Sequence, residues 1–166
     1  MSFVVVVRGP LGAGKTTVAR ALAARLGARL LSVDPFVERG WDGGSERLFL
    51  RANPAIVARA TPSLRRGRPV VLDGNFYWAS ALDDLLERLP YPRTVVTLAV
   101  PLAVCVARDA RRRRPHGAEA AAAVYEKVAR LRRGIRIDAR PPVPDVVAAI
   151  EAHLPTAPRP RRSPSR

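Results

Sequence analysis

The chain has 166 residues, a length that suits one domain around one core. Apolar residues make up 48% of it, enough for a globular fold, but no stretch approaches the length of a transmembrane helix. The net charge is +15, and Cys105 is the single cysteine. A disulfide framework and a multi-cysteine zinc site are therefore excluded, and a reducing cytoplasm is the expected compartment.

In chain order, Met1-Ser2-Phe3 leads directly into an apolar run, and no secretory leader is expected. Phe3–Val7 is continuous and β-branched, as in a strand buried on both faces. Gly9-Pro10-Leu11-Gly12-Ala13-Gly14-Lys15-Thr16 follows and fits G-x-x-x-x-G-K-[ST], the phosphate-binding P-loop. After it, Val18, Leu22 and Leu26 fall on one helical stripe, so the motif lies on a strand–loop–helix. Gly9, Gly12 and Gly14 let the backbone turn and, with Ala13, Thr16 and Thr17, aim amides at a phosphate. The helix N-terminus adds partial positive charge. Lys15 reaches the β and γ phosphates of a nucleotide, and the Thr16 hydroxyl ligates Mg²⁺.

The spacing predicts a helix over about Lys15–Leu26, stopped by Gly27, then a strand Leu30–Val33 ending at Asp34-Pro35. Residues 38–45 are glycine-rich and read as a mobile loop. Glu46–Arg66 is helical in pattern, with interruptions expected near Pro54 and Pro62. A strand Pro69–Leu72 ends at Asp73-Gly74-Asn75. An amphipathic helix Ala79–Leu89 turns Leu82, Leu85, Leu86 and Leu89 inward. Thr94–Val100 is a further strand, and Pro101 opens a helix running through Val104, Arg108 and Arg112. A helix Ala118–Arg132, a short strand Gly134–Asp138 and a final helix capped by Asp145 complete the pattern. Residues 1–154 form the domain. Residues 155–166, with Arg159, Arg161, Arg162, Arg166 and no acid, form a basic tail expected to be disordered.

Strands alternating with helices predict an α/β fold, a parallel sheet covered on both faces, with ligands at the strand C-termini. Lys15, Asp34 and Asp73 fall at that edge. Asp73 closes an apolar strand, where a carboxylate holds Mg²⁺ directly or through water. Gly74-Asn75-Phe76 follows it, without the second carboxylate that activates water in motor and transporter ATPases. The guanine-reading N-K-x-D and the transporter L-S-G-G-Q signatures are absent from the sequence. The pattern therefore favours transfer to a bound acceptor over hydrolysis.

Asp34 is the candidate base that takes the acceptor proton. Arg108 and Arg112, four apart in an arginine-rich segment, are candidate catalytic cations for the γ-phosphate, with Pro115-His116-Gly117 as a flexible break of a closing lid. Arg47, Arg51, Asn53 and Asn75 are candidates for the acceptor pocket, and Trp41 for its cover. His116 and His153 are isolated and carry no assigned role. Only two of the 29 basic residues are lysines, Lys15 and Lys127, a skew that fits GC-rich coding and solvated surface arginines.

On Gly9–Thr16, Asp34, Asp73-Gly74-Asn75 and the Arg108/Arg112 lid, residues 3–154 resemble the small P-loop kinases grouped with nucleoside-monophosphate, shikimate and gluconate kinases. Within that group the chain is most similar to the chloramphenicol phosphotransferase and polynucleotide 5′-kinase-like branch. The resemblance implies a three-layer P-loop NTPase fold with a five-stranded parallel sheet in order 2-3-1-4-5. It also implies ATP–Mg²⁺ as donor, Asp34 contacting an acceptor hydroxyl, and adenine packed between the lid helix and residues 138–142. In polynucleotide 5′-kinases an arginine closely follows the second-strand aspartate, whereas here Pro35-Phe36-Val37 intervene before Arg39. A small-molecule acceptor is thus the leading expectation. The net charge keeps nucleic acid as an alternative partner, in a 5′-hydroxyl polynucleotide kinase, and a non-catalytic nucleotide-binding regulator is the third reading.

Overall fold

The computed structural model describes residues 1–155, so the tail predicted from residue 155 lies outside the described residues apart from Pro155. The five strands are β1 (Val4–Arg8), β2 (Arg29–Ser32), β3 (Val70–Gly74), β4 (Arg93–Ala99) and β5 (Ile135–Asp138). All pair in parallel, in the order β2-β3-β1-β4-β5, which is the sheet of a P-loop NTPase. The helices are α1 (Lys15–Leu26), α2 (Asp34–Glu38), α3 (Glu46–Arg65), α4 (Ala79–Glu87), α5 (Leu102–Ala110), α6 (Ala118–Arg130) and α7 (Val143–Glu151).

The valine run of β1 explains the layering. Its side chains alternate, and both sets are fully buried. Val4 and Val6 join Val70 and Leu72 against α3 and α4, where Phe49, Ile56, Leu64, Leu82 and Leu85 pack. Val5 and Val7 join Val71, Val96 and Leu98 against α1, α5 and α7, where Val18, Leu22, Cys105, Val146 and Ile150 pack. The register sets Val7 opposite both Asp73 and Val96, so the C-terminal ends of β1, β3 and β4 meet at one edge.

Four local expectations are corrected. Helix α3 runs unbroken through Pro54 and Pro62. Both prolines are exposed, and the carbonyls they leave unpaired belong to Leu50 and Ala58, also on the solvent side. The opposite face, through Phe49, Ala52, Ile56, Ala60 and Leu64, holds the helix to the sheet. Asp34 does not end a strand; it opens α2, with Pro35 in the first turn. Helix α5 stops at Ala110, so Arg112 lies past its end and shares no helix face with Arg108. Asp145 lies inside the first turn of α7, whose N-cap is Pro142. Among the described residues no helix is long and apolar enough to cross a membrane.

Candidate active site

The loop after β1 is shaped by its glycines. Gly12 and Gly14 have φ of 76° and 89°, the left-handed region that glycine enters freely. A Cβ on Gly12 would sit 2.2 Å from the Cys105 carbonyl oxygen, so α5 presses directly on the loop. Gly14 is the N-cap of α1 and no side chain caps that end. The first-turn amides of Lys15, Thr16 and Thr17 are thus left for an anion, with the helix dipole behind them. Gly9 approaches Leu98 of β4, and Ala13 is buried beneath the loop.

Lys15 is buried, and its Nζ donates to the Pro10 carbonyl across the loop at 2.7 Å. Burial lowers its pKa to about 8, while Asp34 and Asp73 draw it back up and Arg112 pushes it further down. Thr16 Oγ1 donates to Asp73 Oδ2 at 2.8 Å. Burial raises the Asp73 carboxyl above its usual range, against the opposing pull of Thr16 and Lys15. Among the described residues no three His, Cys, Asp or Glu side chains gather into a metal cage. The adjacent Thr16 hydroxyl and Asp73 carboxylate nevertheless suit Mg²⁺, which takes one or two protein oxygens and completes its shell with phosphate and water. A cation there would also relieve the buried Asp73 charge.

A cleft of about 290 Å³ opens beside the loop. Leu11, Lys15 and Thr16 of the loop line it together with Asp34, Val37, Glu38, Trp41, Phe49, Asn75 and Tyr77. Arg112, His116, Ala120 and Val124 close the side formed by the arginine segment and α6. The structure therefore brings Lys15, Thr16, Asp34, Asn75 and Arg112 to one cavity, with Asp73 hydrogen-bonded at its edge. Arg108 lies over the loop, its Nη1 3.5 Å from the Ala13 carbonyl oxygen.

Arg47 and Arg51 do not line the cleft; both are exposed on α3. Asn53 is buried and ties α3 to α4, donating to Ala81 O and Asp84 Oδ2 at 2.8 Å each. Asp138, which ends β5, is held at a pKa of about 2 by hydrogen bonds from Arg140.

Three features of the site were not read from the sequence. Glu38 is one helical turn beyond Asp34 and faces the same cleft. The Asp-Pro start of a helix was its available signal. The arginine segment is fastened rather than loose: buried Asp109 accepts from the His116 and Gly117 amides at 2.8 and 3.0 Å and pairs with the His116 ring at 2.9 Å. Burial raises that carboxyl, but the bonds from His116 and Gly117 outweigh it and hold it below the ordinary value.

Arg8, last in β1, is completely buried. It donates to Phe76 O, Thr97 Oγ1, Val128 O and Leu131 O, joining the sheet to the C-terminal end of α6. Burial lowers its pKa to about 10, so it remains charged at neutral pH. Phe76 itself has φ of 46°, a strained value for a buried aromatic residue, in the turn that presents Asn75 and Tyr77 to the cleft.

The chain is similar to several solved structures. A gluconokinase from Sinorhizobium meliloti shares 22% identity over 89% of each chain, with a TM-score of 0.71. A sugar kinase from a Janibacter species shares 21% identity over 92% of this chain and 94% of its own, with a TM-score of 0.74. Shikimate kinase from Aquifex aeolicus shares 18% over 90% and 94%, with a TM-score of 0.65. At these identities the likeness is one of fold. No curated protein matches the sequence. A family model described as an AAA domain matches residues 4–135, from the first strand of the phosphate loop to the last strand of the sheet, and the chain belongs to that AAA-domain family.

Proposed function

We propose that the protein is an ATP-dependent phosphotransferase that moves the γ-phosphate to a hydroxyl of a small-molecule acceptor. The observation that carries this reading is the one cleft that Lys15, Thr16 and Asp34 line together, with Asp34 near enough to draw up the Lys15 pKa. The kinase folds of the gluconokinase, sugar kinase and shikimate kinase support it. So does β3, where Asp73 is followed by Gly74 and Asn75 and no adjacent carboxylate activates water.

In this reading the amides of Gly12 to Thr17 and the Lys15 ammonium hold the β and γ phosphates. Thr16 and Asp73 would hold Mg²⁺, which would supply charge neutralisation to the phosphates when bound. Asp34 accepts the hydrogen bond of the acceptor hydroxyl and orients its oxygen in line with the γ-phosphorus. The bond from that oxygen to phosphorus forms, the bond from phosphorus to the bridging oxygen of ADP breaks, and Asp34 takes the hydroxyl proton. Arg108 and Arg112 neutralise charge on the transferring group. Catalysis here is mostly positioning and electrostatics, so small displacements of these groups matter.

A 5′-hydroxyl polynucleotide acceptor is favoured by the net charge of +15. The acceptor wall disfavours it, because Asp34 and Glu38 both face the cleft there. Replacing Asp34 by Asn tests the phosphotransferase reading. Transfer should fall roughly 10²- to 10⁴-fold, the range of a lost general base, while nucleotide affinity holds. Unchanged turnover removes Asp34 from the chemistry.

A further inference from the structure

His116 lines the cleft, and a buried carboxylate holds it there. That carboxylate, Asp109, lies one turn beyond Cys105 on α5, and both are buried. The Cys105 carbonyl is the group on which a Gly12 Cβ would fall, and Arg108, next to Asp109, reaches the Ala13 carbonyl oxygen. Asp109 is therefore anchored beside the phosphate loop. Its Oδ2 accepts from the His116 and Gly117 amides, and its Oδ1 pairs with the His116 ring Nδ1 at 2.9 Å. Arg112 Nε stands 3.8 Å from that same Oδ1.

This pairing fixes what His116 offers. Burial works to raise the Asp109 carboxyl, but the bonds from His116 and Gly117 hold it below its ordinary value. It is thus ionised at neutral pH and can only accept, so Nδ1 donates to it. Nε2 is then the one polar atom the ring has left. Among the described residues no hydrogen bond or ion pair engages Nε2. The two amides alone would fasten the segment; the ring adds a contact whose other end is free. The charged side chains that line the cleft with it are Lys15, Asp34, Glu38 and Arg112. Arg112 is near enough to Lys15 to press its pKa down, and it shares Asp109 Oδ1 with the His116 ring. His116 therefore stands with the two cations of the cleft that suit phosphate.

We propose that His116 Nε2 donates a hydrogen bond to the transferring phosphoryl group, with Asp109 as the residue that positions the ring. In that state the ring is protonated on both nitrogens, Nδ1–H on Asp109 and Nε2–H on a phosphoryl oxygen. No bond to the ring forms or breaks during transfer, and the acceptor proton still goes to Asp34. His116 acts beside Arg112 as a donor aimed at charge that develops on the γ-phosphoryl oxygens. Its effect on rate rests on the phosphotransferase reading, but contact of the ring with bound triphosphate does not depend on turnover.

Two substitutions and a ring spectrum in the full chain test this. His116→Asn places an amide donor where Nδ1 stands and leaves nothing at Nε2. It should lower kcat roughly 10²- to 10³-fold, the loss of one positioned donor, while the KM for ATP holds. Asp109→Asn keeps the shape and still accepts from both amides, but it sets an amide against Nδ1. It should lower kcat with KM held, because the ring turns. The chain has two histidines, His116 and His153, so ring-nitrogen NMR shows two rings, assigned by the His116→Asn spectrum. A non-hydrolysable ATP analogue with Mg²⁺ should shift the His116 Nε2 signal, with both ring nitrogens protonated in the complex, and leave His153 unchanged. Undiminished kcat in His116→Asn overturns the proposal and leaves His116 only a fastening of the loop. So does a His116 ring that the bound analogue leaves unmoved. A ring that responds in a protein that labels no acceptor from γ-labelled ATP sustains the contact and counts against phosphotransfer. Labelled acceptor with an unmoved ring sustains phosphotransfer and removes His116 from it.

Discussion

Lys15 sits where two requirements conflict. It must be buried to meet phosphates without competing water, and burial lowers its pKa to about 8. Below that pH the free protein carries the ammonium ready for phosphate. Above it the side chain increasingly loses its proton, and a bound nucleotide must restore it. Nucleotide affinity should therefore fall as pH rises from about 8, approaching tenfold per unit, with proton uptake on binding visible by calorimetry in buffers of different ionisation enthalpy. A dissociation constant that stays flat between pH 7 and 9.5 contradicts this. The sign for folding is opposite. Because the folded-state pKa lies below the unfolded value, the unfolded chain binds the extra proton, and this group's contribution to stability of the nucleotide-free protein rises with pH above about 8. Lys15, Thr16 and Asp73 were legible in the sequence because a motif and a strand end fix their spacing. Glu38 and Asp109 were not, because their roles arise from a short helix and from a loop folding back on itself.

At the scale of elements, the strands and long helices followed the apolar pattern closely. Helix α1 has the predicted bounds because a glycine flanks each end and one buried stripe runs between them. The proline breaks in α3 failed because propensity acts on each residue alone, whereas the buried stripe from Phe49 to Leu64 acts on the whole helix. Arg8 was invisible for a related reason. At the end of a valine strand it reads as the first polar residue of a loop, yet the fold closes four acceptors around it. Arg8→Met keeps the volume and removes every donor. Thr97 still donates to Arg133 O, but the carbonyls of Phe76, Val128 and Leu131 lose a partner. The substitution should cost roughly 3 kcal/mol of unfolding free energy in urea titration, the order expected for stranded buried acceptors. It should also loosen α6 at the cleft. A loss below about 0.5 kcal/mol, within the range of a neutral surface change, shows that the four bonds hold nothing together.

For the molecule as a whole, the net charge of +15 and the presence of Asp34 and Glu38 in the cleft point in different directions. Charge at a distance attracts polyanions whatever the cleft is built for, and its signature is steep dependence on salt. Removing residues 155–166 takes away four arginines and no acid. Oligonucleotide binding at low salt should weaken markedly in that variant while phosphotransfer is unchanged. Retained, salt-insensitive oligonucleotide binding contradicts a small acceptor. The sheet order was legible at this scale only through resemblance, since alternation of strands and helices gives a parallel sheet but not which strand neighbours which. The cleft beside the loop was the least legible part, because its lining is assembled from α2, α3, the turn after β3 and α6, and no single segment carries its pattern. The most direct test of the central claim is to incubate the full chain with γ-labelled ATP, Mg²⁺ and a panel of hydroxyl acceptors, with Lys15→Ala as the blank. The account predicts label covalently on one acceptor and ADP in equal amount, both absent from the blank. ATP bound by the protein with label found only in ATP or free phosphate would contradict it and leave a nucleotide-binding regulator or a hydrolase.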